Sequence, residues 1–312
     1  MNNNHANVSA NNGNDDINLK ELFTVLWNGK WIVIFFVSIF SIVAILFTLS
    51  LPNIYQSKAL LNPVSEQSNL NQSLRSFGGL ASLAGFDMPT NGSNAIKAQE
   101  KLKSLSFFED NILPNIYLPD LIAVKSWEVA SNSIIYDENI YDKSNEKWVR
   151  EFQYPQTLIP SSQESFKVFS EKLSITEDKN TGFVTIAIEH QSPYVAKKWT
   201  ELIVNQINYF FRVKDKAEAQ VAMDYLNIQI AKTSFSEIKQ VIAQILQEKM
   251  QQLALIEATD YYVFEYIDPP AVMEDKSAPS RSIICIMAAF FGGFLGMLLV
   301  LIRNYFFKKY QR

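Results

Sequence analysis

The residues that most often perform catalysis or bind metals are few and scattered in this chain of 312 residues. There are two histidines, His5 and His190, and one cysteine, Cys285. A zinc site needs several His, Cys or carboxylate ligands close together, and a nucleophilic serine or cysteine needs a base beside it. The spacing of these residues offers neither arrangement. We therefore expect no catalytic site, no cofactor and no bound metal, and we interpret His190 as a structural residue.

Two further stretches contain residue types that bind ligands in other settings. The adjacent carboxylates Glu274 and Asp275 have the pattern of a solvated turn. Residues 71–94, "NQSLRSFGGLASLAGFDMPTNGSN", are rich in glycine and serine. A phosphate-binding loop would end in Gly-Lys-Ser or Gly-Lys-Thr, and no such sequence follows. We interpret this stretch as a flexible loop.

Two long apolar segments are the most prominent elements that the sequence predicts. They are Trp31–Leu51 and Ile283–Ile302, and neither contains a charged residue. A helix of ~20 apolar residues is long enough to cross a hydrocarbon core of ~30 Å. The first segment is longer and begins later than the apolar part of a cleaved signal peptide. We therefore predict two transmembrane helices, over 31–51 and 283–302.

Basic residues indicate how these helices are oriented. The first is preceded by Lys20 and Lys30, and the second is followed by a basic tail, 303–312, with four Lys or Arg residues. Lys and Arg near the ends of membrane spans favour the cytoplasm. We expect both termini to be cytoplasmic, and residues 52–282 to be periplasmic if the membrane is a bacterial inner membrane.

The segment between the spans has a composition that limits its partners. Residues 52–282 contain 22 Lys and Arg against 29 Asp and Glu. An acidic extracytoplasmic segment is a poor partner for nucleic acid, so we expect no nucleic-acid binding. Cys285 lies within the second span, which leaves the outer segment without a disulfide and dependent on its own core.

Local patterns divide the rest of the chain. The Asn-rich residues 1–16 predict a disordered cytoplasmic tail, and residues 17–30 predict an amphipathic helix at the inner membrane face. "IYQSKALLNPV" after the first span, "KLSITED", "GFVTIAIEH" and "YYVFEYIDP" from Tyr261 predict strands, and 94–113 predicts a helix. The fold class is therefore α+β: two transmembrane helices flank a periplasmic mixed α/β base domain with a very long extended helix.

The long helix is predicted over about 193–258. From Tyr194 to Asp268 there is neither glycine nor proline, and apolar residues recur at threes, fours and sevens. The residues of this stripe that we expect to mediate oligomerisation are Val221, Tyr225, Ile228, Phe235 and Ile242. A continuous helix would be ~90 Å long and would need partners along its length, either other segments of the chain or further copies. A break near "AKTSFSE", 231–237, is the alternative.

The second span carries a face of small residues. Gly292 and Gly296 are four apart, with Gly293 beside them, and small residues allow transmembrane helices to approach closely. The first span offers Ser38, Ser41, Ala44 and Thr48 at matching spacing. The partner of the glycine face is the first span, a neighbouring subunit or another protein. Before this span, Pro269, Pro270 and Pro279 stiffen the connection, and Arg281 is an interfacial anchor.

These motifs resemble the chain-length determinant (Wzz) family of polysaccharide co-polymerases over about 17–303. "INLKELFTVLWNGKWIVI" and "LPNIYQSKALLNPV" are similar to the family's first span and following strand. Pro279 lies thirteen residues before Gly292, as in the family's proline- and glycine-containing C-terminal motif. The chain departs from that motif at Ala278, between Ser277 and Pro279, and at Ser280 and Phe294, where the family has lysine and methionine.

The resemblance implies an inner-membrane homo-oligomer, often a ring, that sets the length of O-antigen or a related lipopolysaccharide. Its implied partners are a Wzy-type polymerase and lipid-linked glycan, and it makes no bond itself. An export-type co-polymerase that works with a separate kinase is the alternative, and a two-span sensor is a third. Because nine residues follow Arg303, we expect no fused kinase.

Overall fold

A computed structural model describes residues 19–64, 93–259 and 261–310. The predictions of a disordered tail over 1–16 and of a flexible glycine-rich loop fall almost wholly outside these residues. The chain divides into two compact units. One comprises the residues up to Leu51 together with those from Pro279 onward, and the other is Pro52–Ala278.

The helices are α1 (Leu19–Asn28), α2 (Lys30–Ser50), α3 (Ser93–Leu102), α4 (Leu105–Phe107), α5 (Leu118–Ile122), α6 (Ser162–Lys172), α7 (Pro193–Lys232), α8 (Ser236–Ala258) and α9 (Arg281–Tyr310). A π-helical turn (Phe108–Ile112) and a 3-10 turn (Leu113–Asn115) follow α4. The strands are β1 (Tyr55–Pro63), β2 (Val124–Glu128), β3 (Ser133–Tyr136), β4 (Tyr141–Asp142), β5 (Lys147–Trp148), β6 (Leu173–Glu177), β7 (Val184–His190) and β8 (Phe264–Asp268). The protein is therefore α+β, as predicted.

The first unit is built on α2 and α9. Both helices are long and apolar enough to cross a membrane: α2 covers 31–50 of the first predicted span, and α9 contains the second. Trp31, Phe35 and Phe290 are among the large apolar side chains that point outward from them. Such outward-facing apolar residues suit a lipid environment, in which a helix needs no polar surface.

The second unit is built on a four-stranded antiparallel sheet with the order β6-β7-β1-β8. The register pairs Tyr55 with His190 and Leu61 with Val184. Alternate residues of β1 and β7 are buried, because α7 packs along one face of the sheet. The predicted strands are present, although the last begins at Phe264 rather than Tyr261.

Shorter helices complete the core of this unit. The helix predicted over 94–113 is interrupted after Leu102, and the Ser104 hydroxyl accepts a hydrogen bond from the Phe107 backbone N–H at 3.3 Å, which starts α4. Phe107, Phe108 and Phe169 are nearly or fully buried in the same apolar cluster as the sheet. Residues 117–160, which showed little periodicity, form two small β-ribbons, β2–β3 and β4–β5.

The helical stretch expected over 193–258 is broken after Lys232, which is the alternative that the sequence left open, and α7 and α8 form a hairpin. Thr233 and Phe235 adopt extended backbone angles, so the break lies within the segment where it was considered. The chain then folds back: the Tyr262 hydroxyl donates to the Asp215 carboxylate at 2.7 Å, and Lys216 forms an ion pair with Glu257. Folding back lets α8 contact α7, which a straight helix would not allow.

Candidate interaction surfaces

The glycine face of α9 packs against α2. A Cβ atom added to Gly292 would lie 2.9 Å from the Phe36 carbonyl oxygen, and one on Gly296 would lie 2.8 Å from the Val33 Cα atom. Separations this short are incompatible with a side chain at either position unless the helices move apart. At Gly293 the nearest atom, a Val37 methyl, would be 3.5 Å away, which is an ordinary contact. The two helices therefore touch through backbone at Gly292 and Gly296.

The contacting face of α2 differs from the one that residue size predicted. Ala44 and Thr48 are buried and Ser41 is half-buried, but Ser38 is exposed. Ser38 is therefore a correction: α9 meets Val33, Phe36, Val37 and Phe40 at this level. The close approach comes from the glycines alone, so the opposing residues need not be small.

The proline-containing segment is fastened to the start of β1. Ile54 donates its N–H to the Ala278 carbonyl at 2.9 Å, and Ser277 donates to the Ile54 carbonyl at 2.8 Å. The Ser57 hydroxyl donates to the Ala271 carbonyl at 2.8 Å. The segment that follows β8 is thus held along the strand that follows the first apolar helix.

The prolines and Arg281 occupy different environments. Pro270 is buried, Pro279 is half-buried and Pro269 is exposed. Within the first unit, the Arg281 guanidinium donates to the Leu51 carbonyl at 3.4 Å, where α2 ends and α9 begins. Arg281 thus satisfies a carbonyl that the helix end leaves without an internal partner.

The predicted oligomerisation stripe is mostly exposed. Val221, Tyr225 and Ile228 lie four and three residues apart on one face of α7, and they are 69%, 61% and 52% exposed. Phe235, at the turn, is also exposed. Ile242 is a correction: this residue of α8 is buried within the chain, so it does not extend the exposed stripe.

Asn208 is a key residue that the sequence did not single out. Its side-chain oxygen accepts hydrogen bonds from three consecutive backbone N–H groups, those of Tyr262 (3.3 Å), Val263 (2.7 Å) and Phe264 (2.9 Å). Its amide nitrogen donates to the Phe264 carbonyl at 3.0 Å. A buried polar residue in the apolar run "IVNQINYFF" was the available signal, since a buried amide needs partners. Asn208 fixes where the returning chain enters the sheet.

His190 has the structural role that the sequence predicted. Its Nδ1 atom accepts from the Ser192 N–H at 2.9 Å, so its Nε2 atom carries the proton and donates to the Asp120 carbonyl at 2.8 Å. Burial lowers the pKa of His190 to about 4, and the ring packs edge-on against Trp199. Burial also raises the pKa of the Asp120 carboxyl. Both imidazole nitrogens are thus occupied by backbone, which leaves no nitrogen for catalysis.

The described residues offer no metal centre. Across 19–64, 93–259 and 261–310, no group of three or more His, Cys, Asp or Glu side chains is close enough to hold an ion. The surfaces described above are apolar or built from backbone hydrogen bonds.

Comparison with known proteins places part of the chain in a family. Residues 15–112 match the model of the Wzz family, described as chain length determinant protein. This match covers 98 of the 312 residues, about a third of the chain. No curated protein matches the chain.

Two solved structures align with the chain. One is a full-length bacterial polysaccharide co-polymerase, at 16% identity over 93% of this chain and 99% of that one, with a TM-score of 0.38. The other is a fragment of WzzB, the polysaccharide co-polymerase from Salmonella Typhimurium, at 13% identity over 72% of this chain and 100% of that one, with a TM-score of 0.27.

The residues that match the family model contain one side of the packed apolar pair. The match includes α1, α2 and β1 and extends to Ile112, so it covers Val33, Phe36 and Val37. The glycines that contact them, the proline-containing segment and the α7–α8 hairpin lie outside the matched residues. The matched residues of α2 and the later helix α9 therefore meet at the glycine face.

Proposed function

We propose that this protein regulates polysaccharide chain length as an oligomeric scaffold in the bacterial inner membrane. The match of residues 15–112 to the chain length determinant family carries this proposal. The two apolar helices support a two-pass arrangement. Both termini are then cytoplasmic, as the basic flanks suggest, and residues 52–282 are periplasmic.

The scaffold acts on a Wzy-type polymerase and its lipid-linked glycan, of the O-antigen or lipopolysaccharide type, and is not itself an enzyme. The buried, backbone-bonded state of His190 and the apolar character of the surfaces support a binding role. Regulation of length requires the scaffold to hold polymerase and growing glycan together for a limited number of additions. A protein that only binds can do this through its arrangement of copies.

Contacts between copies are made by the stripe Val221, Tyr225, Ile228 and Phe235. An apolar row on a helix that extends beyond its sheet costs free energy in water, and burial against another copy removes that cost. The glycine face, in contrast, packs within the chain and sets the spacing of the two spans. Pro269, Pro270, Pro279 and Arg281 lie on the segment of chain that joins the sheet to the second span.

The direct test is the length distribution of surface polysaccharide in a deletion strain and in the same strain with the gene restored. We expect deletion to replace a clustered distribution with a short, unregulated ladder, and restoration to recover the cluster. Complete loss of surface polysaccharide would favour the export-type co-polymerase instead. An unchanged distribution would contradict the proposed function.

A further inference from the structure

The returning helix of the hairpin carries an exposed apolar row of its own. Its members on α8 are Ile238, Val241 and Ile245, which are 48%, 54% and 38% exposed. Ile242, next to Val241, is buried within the chain. Packing within the chain therefore covers Ile242 and leaves this row, which we call the α8 row, open to another molecule.

The α8 row has the spacing of the exposed residues of α7. The α7 stripe runs towards the turn from Val221 to Ile228, in a step of four residues and then one of three. The α8 row runs towards the same turn from Ile245 to Ile238, again in a step of four and then one of three. Two helical surfaces with the same spacing can pack side by side along their whole length.

The α7 stripe and the α8 row also lie at nearly the same height above the sheet. Counted from Ser234 in the turn, the stripe lies 6 to 13 residues away and the row 4 to 11 residues away. The difference of two residues corresponds to ~3 Å along a helix. This is half of the ~6 Å between side chains four residues apart, so the side chains of one surface fit between those of the other.

Charged residues near the turn favour contact between unlike surfaces of two copies. Lys232 continues the α7 stripe four residues beyond Ile228, and Glu237 lies at the same height at the start of α8; both are exposed. If the stripes of two parallel copies met each other, Lys232 would lie beside Lys232. If the stripe of one copy met the α8 row of the next, Lys232 would lie beside Glu237, and opposite charges favour that partner.

At the end nearer the sheet the charges are mixed. Glu218 precedes the α7 stripe, and the α8 row is followed by both Glu248 and Lys249. Contact between two α7 stripes would place Glu218 beside Glu218, whereas the α8 row offers one charge of each sign. The preference for unlike surfaces therefore arises at the turn.

We propose that the α8 row of one copy receives the α7 stripe of the next copy. This rests on the proposed oligomeric scaffold, in which the stripe makes the contact between copies, and it names the surface that the stripe meets. Because the two surfaces differ, each copy uses its stripe on one neighbour and its row on the other, and the contact repeats from copy to copy. Both apolar surfaces are then removed from water, whereas contact between two stripes would leave the α8 row exposed.

The test links two differently tagged full-length copies that are expressed together, each carrying Cys285→Ala so that no native cysteine remains. One copy carries Tyr225→Cys and the other Val241→Cys, and a short bismaleimide joins cysteines that lie close together in the membrane fraction. A product with both tags reports contact between the stripe and the row of different chains. Gln240→Cys replaces Val241→Cys in the matched control, because Gln240 is also exposed but points roughly 100° away around α8.

We expect the two-tag product with Val241→Cys to exceed that with Gln240→Cys by about fivefold or more, because only packed positions are held together. Equal yields, or no product with either, would overturn the proposal. Copies that all carry Tyr225→Cys should give little product, and a yield equal to the mixed one would overturn the proposal in favour of contact between stripes.

Charge reversal gives a second readout. Lys232→Glu on the copy with Tyr225→Cys should lower the two-tag product by about twofold to fivefold, and Glu237→Lys on the other copy should restore it. A loss that is not restored would overturn the placement of Lys232 beside Glu237. The deletion strain tests the proposed function separately: an altered length distribution without a two-tag product overturns this pairing alone, and an unchanged distribution with that product overturns length regulation alone.

Discussion

The two halves of α7 carry apolar residues at the same helical spacing and meet opposite environments. In the first half, Trp199, Ile203 and Ile207 are almost fully buried against the sheet. In the second half, Val221, Tyr225 and Ile228 are more than half exposed, although α8 runs alongside. The same pattern therefore stabilises the fold in one half and leaves a surface for another molecule in the other.

The difference arises from what each half faces. A sheet offers a broad apolar surface, and residues of the first half at every turn reach it. A single returning helix covers only one side of its neighbour. The structure describes every residue of α7, and beyond Phe211 the one buried residue of this helix is Ala219. A stripe on the remaining side stays exposed however well the hairpin is packed.

We expect the largest effect on the free energy of unfolding at Asn208, which lies at the boundary between the two halves of α7. In Asn208→Leu, three backbone N–H groups lose their acceptor, and a buried unsatisfied donor costs roughly 1–3 kcal/mol. We expect the free energy of unfolding of the purified full-length protein in detergent to fall by about 4 kcal/mol. Asn208→Asp keeps an acceptor oxygen, so it should lose less. Equal losses in both variants would show that the three hydrogen bonds are not what holds the returning chain.

A matched pair of substitutions tests the comparison directly. Ile203→Ala removes a side chain that is 1% exposed in the first half, and Ile228→Ala removes one that is 52% exposed in the second. We expect a loss of about 3 kcal/mol in the free energy of unfolding for Ile203→Ala and under about 0.5 kcal/mol for Ile228→Ala. Denaturant titration measures both. Similar losses would mean that the second half is buried after all.

Acid should destabilise the packing around the first half of α7 through His190, whose ring lies against Trp199. The pKa of His190 is about 4 in the folded protein, against an ordinary value of 6.5. The unfolded chain therefore binds a proton at higher pH, and the stability that depends on neutral His190 is lost as the pH falls from ~6.5 towards ~4. The loss reaches up to about 3 kcal/mol. Unfolding measured over this range should depend less on pH in His190→Gln, and an unchanged dependence would contradict the assignment.

The α2–α9 pair sharpens the comparison, because its apolar contact is made within the chain. Gly296→Ala places a Cβ atom 2.8 Å from the Val33 Cα atom, whereas Gly293→Ala makes an ordinary contact at 3.5 Å. We expect Gly296→Ala to destabilise the α2–α9 pair by roughly 1–3 kcal/mol and Gly293→Ala to be close to neutral. Thermal unfolding in detergent compares the two. Equal midpoints for Gly296→Ala and Gly293→Ala would show that the close approach at Gly296 is not needed.

Much of this architecture follows from local sequence. The uncharged segments predict α2 and α9, alternation predicts β7, and the glycines predict the close contact of the spans. The sequence left open whether the long helix is continuous or broken near 231–237. Thr233–Phe235 contains neither glycine nor proline, and the break depends on tertiary contacts. Periodicity also placed Ile242 on the oligomerisation stripe. An apolar pattern does not distinguish a residue that is buried within its own chain from one that contacts another molecule.

Residues whose roles depend on distant backbone were the hardest to predict. Asn208 bonds to residues more than fifty positions later in the chain, and nothing near it in sequence marks them. Ser38 was chosen for its size, whereas glycine on the opposing helix removes the need for a small residue there. The β2–β3 ribbon has strands of five and four residues, too short to show alternation.

We propose that the exposed half of α7 forms the contact through which copies of this protein set polysaccharide length. The most direct test compares Val221→Glu/Ile228→Glu with Gln220→Glu/Asn227→Glu, which adds the same charges at the same spacing on the adjacent exposed face. Surface polysaccharide is measured at equal protein levels. We expect the first variant to lose the clustered length distribution and the second to retain it. A clustered distribution in both would contradict it.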